Sequence, residues 1–169
     1  KMIWAKVTEV RSSLVRLSMT FTSAPPLIIS AISSSVTYRD LYPGVDLHVS
    51  SVQSTDVLPG ENAFVAKTTY EVEPGRDPYR IAIRYDGADS VSINEAGNLV
   101  IATPLGNLTE LKPVAYQNVH GGAEPIAVQW HLTGDTAHFN VGVYDQSAVL
   151  YIDPLVMFSR SFGGSSTES

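Results

Sequence analysis

The sequence predicts an all-β fold, an antiparallel β-sandwich or partly open barrel of about ten short strands with an irregular N-terminal arm. Three observations carry this expectation. Apolar residues recur with a period of two, the mark of a half-buried strand. No segment carries a convincing apolar stripe at helical spacing. Turn-forming pairs built on Gly and Pro punctuate the chain at short intervals.

From the N-terminus, Lys1 to Arg11 is ambiguous: Ile3, Val7 and Val10 fit a helix face, whereas Ile3, Ala5 and Val7 fit a strand. Val15, Leu17, Met19 and Phe21 then alternate with Arg16, Ser18 and Thr20. Ser23 to Val36 is rich in Pro and Ser around the apolar run Leu27 to Ile32, which suits a buried strand or a strand lent to another subunit. Pro43-Gly44 fits the two central positions of a type II turn. Tyr38 and Tyr42 before it suit the rim of a core, and Arg39 and Asp40 are placed to pair across the turn. Val45, Leu47 and Val49 alternate with Asp46, His48 and Ser50; Ile81, Ile83 and Tyr85 alternate with Arg80, Ala82 and Arg84. Further turn signals stand at Pro59-Gly60, Pro74-Gly75, Asp86-Gly87, Gly106-Asn107 and Gly121-Gly122, the last with its register open.

Two hairpins can be derived in register. A three-residue loop Glu95-Ala96-Gly97, with Gly97 left-handed, brings Ile93 opposite Leu99 and Val91 opposite Ile101. A two-residue loop Gly134-Asp135 sets Leu132 against Ala137, Trp130 against Phe139, Val128 against Val141 and Ile126 against Val143, all apolar. The other face then pairs Thr133 with Thr136, His131 with His138 and Gln129 with Asn140, and a slip of one residue would destroy both patterns. Asp153-Pro154 bounds a strand from Val149 to Ile152 and restarts an extended segment. The expected organisation is an arm over residues 1–35 as a possible donor strand, a β-sandwich over 36–160, and a tail over 161–169. The Gly- and Ser-rich end of that tail reads as a linker or a junction to a further unit.

Composition bounds the function. The 169 residues carry 17 acidic and 11 basic side chains, a formal charge of −6, which gives no reason to expect nucleic acid as a partner. Charged residues are 17% and apolar ones 44%, enough for a core and for surface hidden against partners. The absence of cysteine removes disulfides, thiolate metal sites and cysteine nucleophiles together. No apolar run approaches the roughly 18 residues of a membrane span.

Candidate chemistry is sparse. His131 and His138, opposite one another in the derived register, suggest a metal, but flanking Gln129, Asn140, Thr133 and Thr136 are poor third ligands. Asp86, Asp89 and Glu95 suit weak Ca²⁺ binding or, more ordinarily, solvated loops. Trp130, Trp4 and the eight tyrosines are candidates for a sugar-stacking surface, with Trp130 better placed as core. Asn107-Leu108-Thr109 has the glycosylation pattern. No nucleophile elbow, phosphate loop or zinc-protease motif is present in the sequence, so no catalytic, cofactor-binding or metal residue is assigned and no cofactor is expected.

The blocks TYRDLYPGVDL from Thr37 to Leu47, EVEPGRDPYRIAIRY up to Tyr85, DGADSVSINEAGNLVIATPLG, KPVAYQ and VLYIDPLVMFSRSFGG occur in an order that resembles the N-terminal domain of bacterial surface proteins with SBBP-type β-propeller repeats. The likeness runs from Val36 onward, and Lys1 to Ser35 match only loosely. It implies an exported, cell-surface β domain with no catalytic residue to carry over. Phe162-Gly163-Gly164-Ser165 looks like the start of the first propeller repeat.

The leading expectation is therefore a non-enzymatic extracellular structural or interaction domain. Its partners would be other copies of itself, joined into a filament by strand addition, or the adjacent propeller. The alternative is a carbohydrate-binding or adhesin module on surface polysaccharide. A glycoside hydrolase-like enzyme ranks third.

Overall fold

The computed structural model describes residues 2–11, 14–22, 35–52, 65–104, 106–119 and 121–158. Among them the fold is all-β, with fifteen strands, no α-helix and one short 3-10 turn at Pro78–Arg80. The strands are β1 (Met2–Arg11), β2 (Leu14–Thr22), β3 (Ser35–Tyr42), β4 (Val45–Val52), β5 (Val65–Val72), β6 (Ile83–Asp86), β7 (Ser90–Ile93) and β8 (Leu99–Thr103). They continue as β9 (Gly106–Glu110), β10 (Val114–Val119), β11 (Gly122–Ile126), β12 (Val128–Thr133), β13 (Thr136–Val141), β14 (Leu150–Asp153) and β15 (Leu155–Phe158). One sheet has five strands in the order β1-β2-β6-β13-β12; the other has ten and is built around β5.

Strand β5 is paired along both edges. On one side β4 runs against its full length, Val45 opposite Val72 through Val52 opposite Val65. On the other side β14 meets Tyr70 to Val72 and β15 meets Val65 to Lys67 in one continuous register. Pro154, which has no N–H to give, separates those two strands; its carbonyl accepts the Thr68 N–H at 3.3 Å and the Thr68 hydroxyl at 3.1 Å. Level with it, the Lys112-Pro113 segment carries one extra residue between β9 and β10, a bulge that ends the β9–β15 pairing and begins the β10–β14 pairing. The sheet thus divides into a β9-β8-β7 branch and a β10-β11 branch. Two long strands, each broken at a proline, account for two of the strands beyond the expected ten or so.

Period-two alternation sends Val45, Leu47, Tyr70, Val72, Leu150, Ile152, Leu99, Ile101 and Leu108 inward from this sheet. Opposite them lie Ile83, Tyr85, Ala137, Phe139, Val128 and Trp130. The layers meet where Tyr70 packs edge-on against Phe139 at 5.3 Å, and Trp130 stacks on Phe139 at 4.7 Å. Trp130 donates its indole N–H to the Leu111 carbonyl at 3.1 Å, so its polar atom is satisfied inside. Buried Gln117 performs the same service for the return from β13 to β14: its amide nitrogen donates to the Asp145 and Ala148 carbonyls, and its oxygen accepts the Asp145 N–H.

The Gly134-Asp135 hairpin has the derived register from Val128↔Val141 to Thr133↔Thr136, and the Glu95-Ala96-Gly97 loop joins Ile93↔Leu99 and Val91↔Ile101, with Gly97 at φ +80°. Other expectations are corrected. Ile126 does not face Val143: it pairs with Ala115, because the chain changes sheets at Ala127, whose carbonyl takes the Gly142 N–H and closes the hairpin there. Val143 is 99% exposed as a result. Gly106 opens β9 rather than a turn, the loop falling between paired Thr103 and Gly106. Lys1 to Arg11 resolves in favour of a strand from Met2, and β2 lies parallel to β6, an exception to the antiparallel rule. Asp40 serves backbone rather than a cation: at φ +49° it accepts the Gly44 N–H, and its own N–H donates to Asp46. Pro59-Gly60, the Leu27 to Ile32 run and the tail from Gly163 lie outside the described residues.

Tyr42 is buried rather than at the rim, because its hydroxyl both donates to the Ala82 carbonyl and accepts the Ala82 N–H. Ala82, expected to face outward, is buried with it. Replacing Tyr42 by Phe leaves two buried backbone groups without partners, and we expect a loss of about 1–3 kcal/mol in urea unfolding.

Candidate functional site

A cavity of about 250 Å³ lies where the β3–β4 turn meets the segment before β6. Tyr42 and Pro43 contribute from the turn, Arg76, Asp77, Tyr79 and Arg80 from that segment, and His138 from the outward face of β13. The Asp77-Pro78 pair explains the local shape. Asp77 is extended and its carboxylate accepts the Tyr79 N–H at 3.0 Å, while Pro78 occupies the first position of the 3-10 turn with its fixed φ. This cap turns the chain tightly enough to present Tyr79 and Arg80 side by side.

The hairpin's polar face supports the turn. The His138 Nδ1 lies 3.2 Å from the Tyr79 carbonyl and 3.1 Å from the Ile81 carbonyl; both only accept, so Nδ1 carries the proton and donates. The Tyr79 ring stacks on His138 at 4.9 Å with 12° between planes and stands 6.1 Å from His131. Tyr79 remains 47% exposed, so its other face is open. On the far side the Tyr144 hydroxyl donates to the Arg76 carbonyl at 3.2 Å. Burial, and then the Asp77 carboxylate, raise the pKa of that phenol.

The charges are unevenly matched. Arg76 approaches Glu73 at 3.8 Å, a loose and exposed pair worth little. Arg80 makes no ion pair among the described residues. Asp77 is committed to capping the turn. The cavity therefore offers guanidinium groups beside an open aromatic face, suited to holding an anionic group and a flat ring.

His131 and His138 do face each other as the sequence predicts, but they serve as a platform for Tyr79. No group of three or more His, Asp or Glu side chains able to hold a metal converges among the described residues, and Asp86, Asp89 and Glu95 form no such cluster. Trp130 is core, and the side chain of Trp4 lies outside those described. Of the tyrosines, Tyr116 and Tyr151 stack on one another at 5.2 Å across β10 and β14. Arg76, Asp77, Tyr79 and Arg80 were not singled out as a site, although an Asp followed by Pro is a recognisable start for a helical turn. Asp77→Ala should cost about 1 kcal/mol in urea unfolding and accelerate exchange of the Tyr79 amide, because that N–H loses its acceptor.

Comparison with curated proteins and with solved structures returns no match. A protein-family profile described as a domain of unknown function (DUF7948) matches residues 30–155, which spans β3 to β14 and leaves β1 and β2 outside. With well over half of its length matched, the chain belongs to the DUF7948 family.

Proposed function

We propose that this chain is a non-enzymatic structural domain of an exported bacterial surface protein, and that it joins copies of itself by strand addition at β6. The observation carrying the reading is the seat of β2. It meets the rest of the domain through four residue pairs, Val15↔Ile83 to Ser18↔Asp86, in parallel register. Among the described strands β1 pairs only with β2, and the hairpin's backbone meets its sheet through that short seam. Parallel pairing is slightly weaker per residue than antiparallel pairing, and an emptied β6 presents an open edge. The hairpin also lies outside the family match, as an appended element would. Donation of β2 to the β6 of the next copy is a head-to-tail contact that does not close, which gives a filament. Export, and a propeller of SBBP-type repeats following the domain, are carried by the resemblance of the ordered blocks from Thr37 onward.

The cysteine-free sequence allows a direct test. With Ser18→Cys and Asp86→Cys, which are register partners, a short bis-maleimide should link chains into a ladder on a denaturing gel. A product confined to the mass of a single chain refutes exchange.

The cavity at Tyr79 favours a second reading, recognition of an acidic polysaccharide. Polygalacturonate in an affinity gel should retard the chain, and Arg80→Ala should abolish the retardation. Equal mobility with and without the polymer refutes it.

A further inference from the structure

Glu110 is the only carboxylate among the buried residues described; it is 5% exposed, on β9, in the core between the two sheets. Its backbone stands in register with Leu99 of β8 and Val156 of β15. Its partner comes from the opposite sheet: the Tyr85 hydroxyl of β6 donates to Oε1 at 2.7 Å. The other titratable group facing it among the described residues is the phenol of Tyr70 on β5, with Tyr42 of β3 beside that phenol. No Lys, Arg or His forms an ion pair with Glu110 among the described residues. Asp153, by contrast, has Lys67 at 3.0 Å. Among the described residues no cation balances a negative charge on this carboxyl, and the phenols around it are themselves held neutral by burial and by that charge.

We infer that buried Glu110 makes the packing of the two sheets proton-linked: the domain is most stable while this carboxyl is neutral and loses stability when it must carry a charge inside the core, even though the Tyr85 hydroxyl still donates to it. The inference rests on the packing of the two layers and is independent of strand addition. Burial pushes the Glu110 carboxyl up to about 7, and the Tyr85 hydroxyl, which favours the ionised form, offsets only part of that. In the unfolded chain the same group ionises near 4.5. Between those values the folded state binds more protons than the unfolded one, so stability falls as pH rises and levels off above about 7.

The test is urea unfolding of the full chain from pH 4.5 to 8, with Glu110→Gln as the reference that shares every other titrating group. The wild-type folding equilibrium constant should drop relative to that of Glu110→Gln by about a hundredfold or more across the range. Parallel curves overturn the inference. Should Glu110→Gln fail to fold, carboxyl-carbon NMR of the intact wild type reads the same group: a midpoint near 7 supports the proton linkage and one near 4.5 refutes it. Tyr85→Phe, which removes the donor to the ionised form, should move that midpoint higher.

Discussion

Pairing along both edges of β5 is the constraint on which the rest of the molecule depends. Its inward residues Tyr70 and Val72 lie in rows with Leu47 and Val45 on one side and with Ile152 and Leu150 on the other. Each row is therefore a continuous apolar strip three strands wide, and a one-residue slip on either edge would turn one side of it to solvent. The two proline breaks follow from the same geometry. Where Pro154 removes an N–H from the ladder and the Lys112-Pro113 bulge adds a residue, the sheet divides into its two branches.

Closing the second layer over that strip buries polar atoms, and the fold answers most of them individually. The Tyr42 hydroxyl takes both backbone groups of Ala82, the Trp130 indole reaches a carbonyl of the opposite sheet, and Gln117 holds a whole connection. Glu110 is the exception in kind, because a hydroxyl can satisfy one of its oxygens but cannot neutralise its charge. A site of that sort costs stability where it could be replaced by an apolar residue. That is the physical reason for treating it as a device rather than as packing. The rim carries Tyr79 on its histidine platform and Arg80 beside it.

Much of this was legible in the chain. The hairpin around Gly134-Asp135 could be registered because six positions on each strand alternate without exception, and Gly97 could be assigned a left-handed conformation because its loop length demands one. Ile126 was misassigned because alternation continues through Ala127 while the chain leaves the sheet; nothing in residue type marks a change of layer. The parallel β2–β6 pairing is a contact between distant segments, and no local pattern records it. For the same reason, Glu110 reads in sequence as an ordinary acid at a strand end, its burial decided by β6 and β5. The cavity was missed because its residues come from a turn, a capped 3-10 segment and the far face of a hairpin. Each has a sufficient local explanation.

Native-state hydrogen exchange resolved by residue would test most directly whether β5 is the spine and the β1–β2 hairpin the detachable piece. The amides of β5, β4 and β14 should exchange only through global unfolding, and those of β2 paired to β6 through a smaller opening with a lower free energy. Equal protection across β2 and β5, with one common dependence on denaturant, would contradict the account.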